Sequence, residues 1–82
     1  MTKFQVFSAD WEIEVEAKDF TEAVLAGTRA KYDELGLGFN IAHTIVVVKE
    51  KTQATEFFNP VAVFEDLHLY YIARHLKVFL ES

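Results

Sequence analysis

The sequence of 82 residues contains no cysteine, one proline, three glycines and only two arginines. Because cysteine is absent, disulfides, thiolate catalysis and cysteine-based zinc sites are excluded. The longest aliphatic run, at positions 45–48, is far shorter than the roughly 20 apolar residues of a membrane-spanning helix. The first residues alternate polar and apolar side chains, which is unlike a signal peptide. We therefore expect a cytoplasmic protein.

Positive charge is also scarce, since eight Lys and Arg face 13 Asp and Glu and give a formal net charge of −5. No three basic residues occur in a row. Nucleic acids and anionic membranes are both bound mainly through Lys and Arg. The charge balance therefore argues against nucleic-acid and membrane partners.

Apolar material is plentiful: 51% of the residues are hydrophobic, 15% are aromatic and only 26% are charged. A disordered chain has the opposite balance. We expect one folded domain over residues 1–82, with a core that is small because the chain is short.

A β-hairpin is predicted at residues 3–7 and 11–17, where apolar and polar side chains alternate with a period of two. The apolar faces of the two strands coincide when Val6 is opposite Ile13. That register leaves Phe7 on the outer face of the hairpin, among polar side chains.

A helix is predicted to begin at Asp19, because Asp19 and Glu22 have the spacing of a capping box. Its apolar stripe is made of small residues, so Gly27 can allow a close approach to a sheet. Gly36 and Gly38 supply the left-handed conformations that end the helix.

The second half of the chain repeats this order. Residues 43–49 and 53–58 are predicted strands, and Asn59 and Pro60 form a typical start for a helix over 60–80. The order ββαββα predicts an α+β fold, with a four-stranded, mostly antiparallel sheet and two helices packed on one face. The order of the strands in the sheet stays open.

The predicted last helix carries two apolar stripes. One is the expected core face: Leu69, Ile72, Ala73, Leu76, Phe79 and Leu80. The second has near-heptad spacing: Phe64, Leu67, Tyr71 and Val78. The second stripe can be core, beneath the first helix or the loop at 37–41, or it can be an interface with another molecule.

The outer sheet face should also expose apolar side chains. Phe7 is one of them, and either the odd or the even residues of the strand at 43–49 must point the same way. Exposed apolar patches mark association sites. We therefore predict a non-catalytic protein–protein interaction module, most simply a homodimer, with the second stripe and Phe7 as interface residues.

Catalytic and metal chemistry find little support. His68 and His75 are about 10 Å apart along a helix, which is too far for both to bind one metal ion. Glu65 and His68 could reach the same ion, but two ligands are weak evidence for a metal site. No Gly-rich phosphate loop follows a strand. The expectation is no enzyme, no cofactor and no metal.

Three carboxylates, at Glu12, Glu14 and Glu16, lie on one face of the second predicted strand. Their spacing of about 6.8 Å is close to that of consecutive phosphates. The alternative hypothesis is therefore an acidic inhibitor that imitates phosphates and binds a nucleic-acid-binding protein.

A third hypothesis is a small-molecule-binding module. Trp11, Tyr70 and Tyr71 are aromatic residues that could line a pocket.

The stretch at 11–23 has the form W-x-I-x-V-x-A-x-D-x-x-E-A. It resembles the strand-to-helix junction of small uncharacterised accessory proteins of tailed phages. The resemblance covers the first third of the chain and implies a protein that acts in the host bacterial cytoplasm by binding a host factor. It implies no particular functional residues.

Overall fold

The structure, a computed structural model, describes residues 1–36 and 42–81. Its four strands form one antiparallel sheet in the order β2-β1-β3-β4. The predicted α+β class is confirmed, although the order is ββαββαα because the last predicted helix is divided in two. The strands and helices are β1 (Thr2–Ser8), β2 (Trp11–Ala17), α1 (Phe20–Leu35), β3 (Ile45–Lys49), β4 (Thr55–Phe58), α2 (Pro60–Asp66) and α3 (Tyr70–Glu81).

The hairpin of β1 and β2 has the predicted register. Val6 is opposite Ile13, and Phe7 is opposite Glu12 on the outer face. Requiring the apolar side chains of both strands to share a face excludes a shift by one residue, which would reverse every side chain. The short turn at Ala9 and Asp10 then selects this register.

Strands β3 and β4 are shorter than predicted. β3 begins at Ile45 rather than at residue 43, and β4 begins at Thr55 rather than at residue 53. The turn between them holds Gln53 at φ 63°, which ends the extended conformation there. Gln53 also donates its backbone N–H to the carbonyl of Lys49 at 2.7 Å.

The sheet has a core face and an outer face. The core face carries Phe4, Val6, Ile45 and Val47, each at most 2% exposed. Because β3 alternates, its remaining valines point outward. The structure therefore settles which residues of β3 face away from the helices.

Helix α1 begins and ends as predicted. Asp19 is the N-cap, and its carboxylate accepts the backbone N–H of Glu22 at 2.8 Å. The helix ends at Gly36, whose φ is 63° and whose N–H donates to the carbonyl of Tyr32. Gly38 and the loop at 37–41 lie outside the described residues.

Helix α1 packs very closely on the sheet at Gly27. A Cβ atom at this position would lie 2.9 Å from Cβ of Val6, so only glycine fits here without displacing its neighbour. The buried residues around it are also small: Ala23, Val24 and Thr28. The hydroxyl of Thr28 is buried and accepts no hydrogen bond from the described residues.

The prediction of one continuous helix over 60–80 is wrong. The chain turns between α2 and α3, where His68 adopts the left-handed conformation with φ 62°. The N–H of His68 donates to the carbonyl of Glu65, and the N–H of Leu69 donates to that of Phe64. These two hydrogen bonds form a Schellman motif, in which histidine takes the position usually held by glycine.

The core lies between the core face of the sheet and the helices. Side chains from both helical segments of the C-terminal half join those of the sheet, including Val63 and Phe64 of α2 and Ile72, Ala73 and Leu76 of α3. Helix α1 contacts β1, β2 and β3, whereas α3 packs chiefly against α2.

Candidate functional site

The four residues of the predicted second stripe do not form one surface. Phe64 is fully buried in the core, and Leu67 is half-buried at the end of α2. Tyr71 and Val78, both on α3, are 56% and 64% exposed. Because the helix is interrupted at His68, the heptad spacing no longer places the first two residues in line with the last two. Phe64 is therefore a core residue rather than an interface residue.

Tyr71 is held in place by α1. Its hydroxyl and that of Tyr32 form a hydrogen bond of 2.6 Å. This hydrogen bond raises the pKa of Tyr32 above its ordinary value of 10.0. The ring of Tyr32 also meets that of Phe64 edge-on, with the ring centroids 6.3 Å apart. Tyr71 thus joins α3 to α1 and leaves part of its ring exposed.

The outer face of the sheet carries an apolar patch. Phe7, Val46 and Phe57 form one row across β1, β3 and β4, and Val48 lies two residues along β3 from Val46. None of these four residues packs against the core cluster. Phe57 is 71% exposed and the other three are half-buried. We call Phe7, Val46, Val48 and Phe57 the outer patch.

The outer patch lies beside a row of carboxylates. Glu12, Glu14 and Glu16 are exposed on the outer face of β2, which is an edge strand of the sheet. Gln5 donates to the carboxylate of Glu14 at 3.3 Å, and Lys3 is the Cα partner of Glu16. We call the three glutamates the acidic row. The outer face therefore changes from acidic at β2 to apolar at β3 and β4.

Sequence reasoning placed Phe7 and the acidic row on this face but missed Phe57. The row of Phe7, Val46 and Phe57 depends on the pairing of β1 with β3 and of β3 with β4. Alternation within β4 indicates two faces, but it does not show which face meets the helices. The strand order was the missing information.

The three aromatic residues of the small-molecule hypothesis differ in their surroundings. Trp11 is 6% exposed and belongs to the core, and Tyr70 donates to or accepts from the ring nitrogen Nδ1 of His68 at 2.8 Å. One open groove of about 440 Å³ lies between α2 and α3 and is lined by none of the three, but by Asn59, Val61, Ala62, Glu65, Lys77 and Leu80. A smaller groove of about 290 Å³ is lined by Tyr70, without Trp11 or Tyr71.

The histidines are spread over the fold. In residues 1–36 and 42–81, no three side chains of the metal-binding types come together. The same part of the chain has no helix with both the length and the apolar character needed to cross a membrane.

Comparison with protein-family models, curated proteins and solved structures finds no match to this chain.

Proposed function

We propose that this chain is a non-catalytic protein–protein interaction module that binds through the outer patch. The observation that supports the proposal best is Phe57, a large apolar side chain that is 71% exposed at the β4 end of a row of apolar residues. Contiguous apolar side chains on a sheet face lose unfavourable contact with water when a partner covers them. Phe7, predicted as an interface residue from the hairpin alone, belongs to the same patch.

The partner proposed first is a second copy of the chain, because most soluble oligomers are symmetric homo-oligomers. A host bacterial protein, reached in the cytoplasm, is the partner implied by the resemblance to phage accessory proteins. Both partners would cover the same apolar row.

Replacing Phe57 with Ser tests the proposal. Light scattering after size exclusion, at several protein concentrations, should give a mass that rises from one chain to two for the unaltered protein. Phe57→Ser should return the mass to one chain. If the unaltered protein is a monomer, a hydrophobic fluorescent dye should bind it, and Phe57→Ser should abolish most of that signal.

Leu35→Ser is the matched control, because Leu35 is an exposed apolar residue at the end of α1 and is not part of the outer patch. It should change neither the mass nor the dye signal. A monomer that binds no dye would contradict the proposal, as would a Phe57→Ser variant that behaves like the unaltered protein.

A second candidate function is phosphate mimicry by the acidic row. The observation in its favour is that all three carboxylates are exposed on the outermost strand, where a basic surface can reach them. Binding of a fluorescent oligolysine peptide should then weaken steeply as salt is raised. The triple variant Glu12→Lys, Glu14→Lys and Glu16→Lys should lose this binding. Peptide binding that is unchanged in the triple variant would exclude mimicry by these residues.

A further inference from the structure

We infer that the outer face of the sheet is covered by helix α3 of a second copy of this chain. The inference rests on the proposed function, since it names the occupant of the outer patch. It also brings together the two surfaces that sequence reasoning treated as alternatives, the exposed residues of α3 and the outer face around Phe7.

The exposed side of α3 combines apolar and basic residues. Arg74 follows Tyr71 by three positions and precedes Val78 by four, so these three side chains share one face of the helix. Lys77 lies three positions after Arg74 and extends the basic flank of that face. All four residues are exposed.

The outer face has the complementary arrangement. The acidic row lies on β2, and the apolar side chains of the outer patch lie on the next strands of the sheet. An α3 helix that rests Tyr71 and Val78 on the outer patch can place Arg74 and Lys77 above the carboxylates of Glu12, Glu14 and Glu16. Opposite charges placed in this way both attract the helix and determine its direction.

Among residues 1–36 and 42–81, neither these basic residues nor the acidic row has an ion-pair partner. In residues 1–36 and 42–81 the side-chain ion pairs are Arg29 with Asp33 and Lys31 with Glu34. Both pairs lie on α1. Arg74, Lys77 and the acidic row are therefore available for a partner.

The dimensions of the two surfaces agree. Tyr71 and Val78 are separated by about 10 Å along the axis of α3. The acidic row extends over about 14 Å, and the distance across the sheet from β2 to β4 is also about 14 Å. A helix with a diameter of about 10–12 Å fits on this surface, with one flank over β2 and the other near β4.

Helix α3 is also placed where another molecule can reach it. It packs chiefly against α2, and the protein is elongated, with extents of 38 × 23 × 22 Å. When two copies each place α3 on the sheet of the other, they form a closed dimer. When each copy places α3 on the sheet of a different copy, a longer assembly forms. Light scattering distinguishes a dimer, with a mass of two chains, from a longer assembly, whose mass keeps rising with concentration. Either result supports the proposed contact.

Charge reversal tests the contact directly. One variant carries Arg74→Glu and Lys77→Glu, and a second carries Glu12→Lys, Glu14→Lys and Glu16→Lys. Each variant alone should associate about tenfold more weakly than the unaltered protein, because attraction at the flank becomes repulsion. Each should keep the circular dichroism spectrum and the thermal transition of a folded chain, since the altered side chains are exposed.

Mixing the two variants gives the decisive result. The acidic α3 of the first variant then meets the basic sheet of the second, and the basic α3 of the second meets the acidic sheet of the first. The mixture should recover the mass that neither variant shows alone. A single chain with all five reversals should also associate like the unaltered protein.

Lys49→Glu with Lys51→Glu is the matched control, since it changes the net charge by the same amount as the α3 variant but at the β3–β4 turn. It should leave association unchanged. If the α3 variant associates normally while Phe57→Ser does not, the outer patch binds something other than α3, so the inference fails and the proposed function stands. A monomer at all concentrations, or a mixture that remains monomeric, also overturns the inference.

Discussion

Helix α1 and the pair α2–α3 cover the same sheet in different ways. Helix α1 buries small residues, and at Gly27 its backbone comes close enough to β1 to touch the side chain of Val6. The pair α2–α3 instead buries large residues such as Phe64, Ile72 and Leu76. Its two helices pack mostly on each other.

The difference shows two ways of anchoring a helix in a small domain. A stripe of small residues permits one close approach, which allows little adjustment of the helix position because protein interiors are densely packed. Large side chains fill the space between a helix and its neighbours without a close approach of the two backbones. The C-terminal pair can therefore be divided into α2 and α3, and the outer side of α3 is left exposed. Helix α1 thus acts as a fixed cover, whereas α3 presents Tyr71 and Val78 to solvent.

The largest expected effect on stability distinguishes a core residue from a surface residue in the α2–α3 pair. Phe64→Ala should lower the free energy of unfolding by about 3–5 kcal/mol, because it leaves a cavity at a fully buried position. Tyr71→Ala should cost about 1 kcal/mol, since its ring is largely exposed and it loses one hydrogen bond to Tyr32. Urea denaturation followed by circular dichroism measures both values.

If Phe64→Ala does not fold, Phe64→Leu provides a milder test, with an expected cost that is larger than that of Tyr71→Ala. Equal costs for the substitutions at 64 and 71 would mean that the two residues have similar environments, contrary to this fold.

A smaller effect is expected at the close approach of α1. Gly27→Ala should lower the free energy of unfolding by about 1 kcal/mol, because overpacking against Val6 of about 1–3 kcal/mol exceeds the gain of about 1 kcal/mol in helix propensity. In a Val6→Ala background the same substitution should cost less, because the contacts with Cγ1 and Cγ2 of Val6 are removed while the contact with Cβ stays, and a double-mutant cycle would measure the difference.

Ala26→Gly is the control for helix propensity, since Ala26 is exposed on the same helix. It should cost about 1 kcal/mol in any background. A Gly27→Ala variant that is more stable than the unaltered protein would show that α1 can move away from the sheet without penalty.

The smallest effect concerns the interruption between α2 and α3. His68→Gly should raise the free energy of unfolding by about 0.5 kcal/mol, because the gain of about 1–2 kcal/mol from a glycine at φ 62° exceeds the loss of the exposed hydrogen bond between His68 and Tyr70. His75→Gly, in the interior of α3, should lower it by about 0.5 kcal/mol. Opposite signs at the two histidines in thermal unfolding would confirm the turn, whereas a loss at both would contradict it.

The first half of the fold was predictable because its signals are local. Asp19 and Glu22 mark the start of α1, and Gly36 marks its end. The period of two in β1 and β2, together with the short turn between them, selects the register that joins the apolar faces. Each of these features depends on residues close together in the sequence, so no knowledge of the remaining fold was needed.

The interruption at His68 was not predictable in the same way. Histidine occurs within helices, and it favours a left-handed conformation far less strongly than glycine does. The continuous spacing of Phe64, Leu67, Tyr71 and Val78 therefore predicted a stripe that does not exist. The position of the turn depends on tertiary packing, because the turn allows Phe64 of α2 and Leu76 of α3 to enter the same core.

The sequence by itself determined the class of the fold, the hairpin register, the limits of α1 and the outward position of Phe7 and the acidic row, because alternation and capping act between near neighbours. Only the tertiary structure decided the strand order β2-β1-β3-β4, the side of the sheet to which Val46 and Phe57 point, and the division of the last helix. These features depend on which segments, distant in the sequence, pack their apolar surfaces together. The choice is made by the burial of apolar surface over the whole chain.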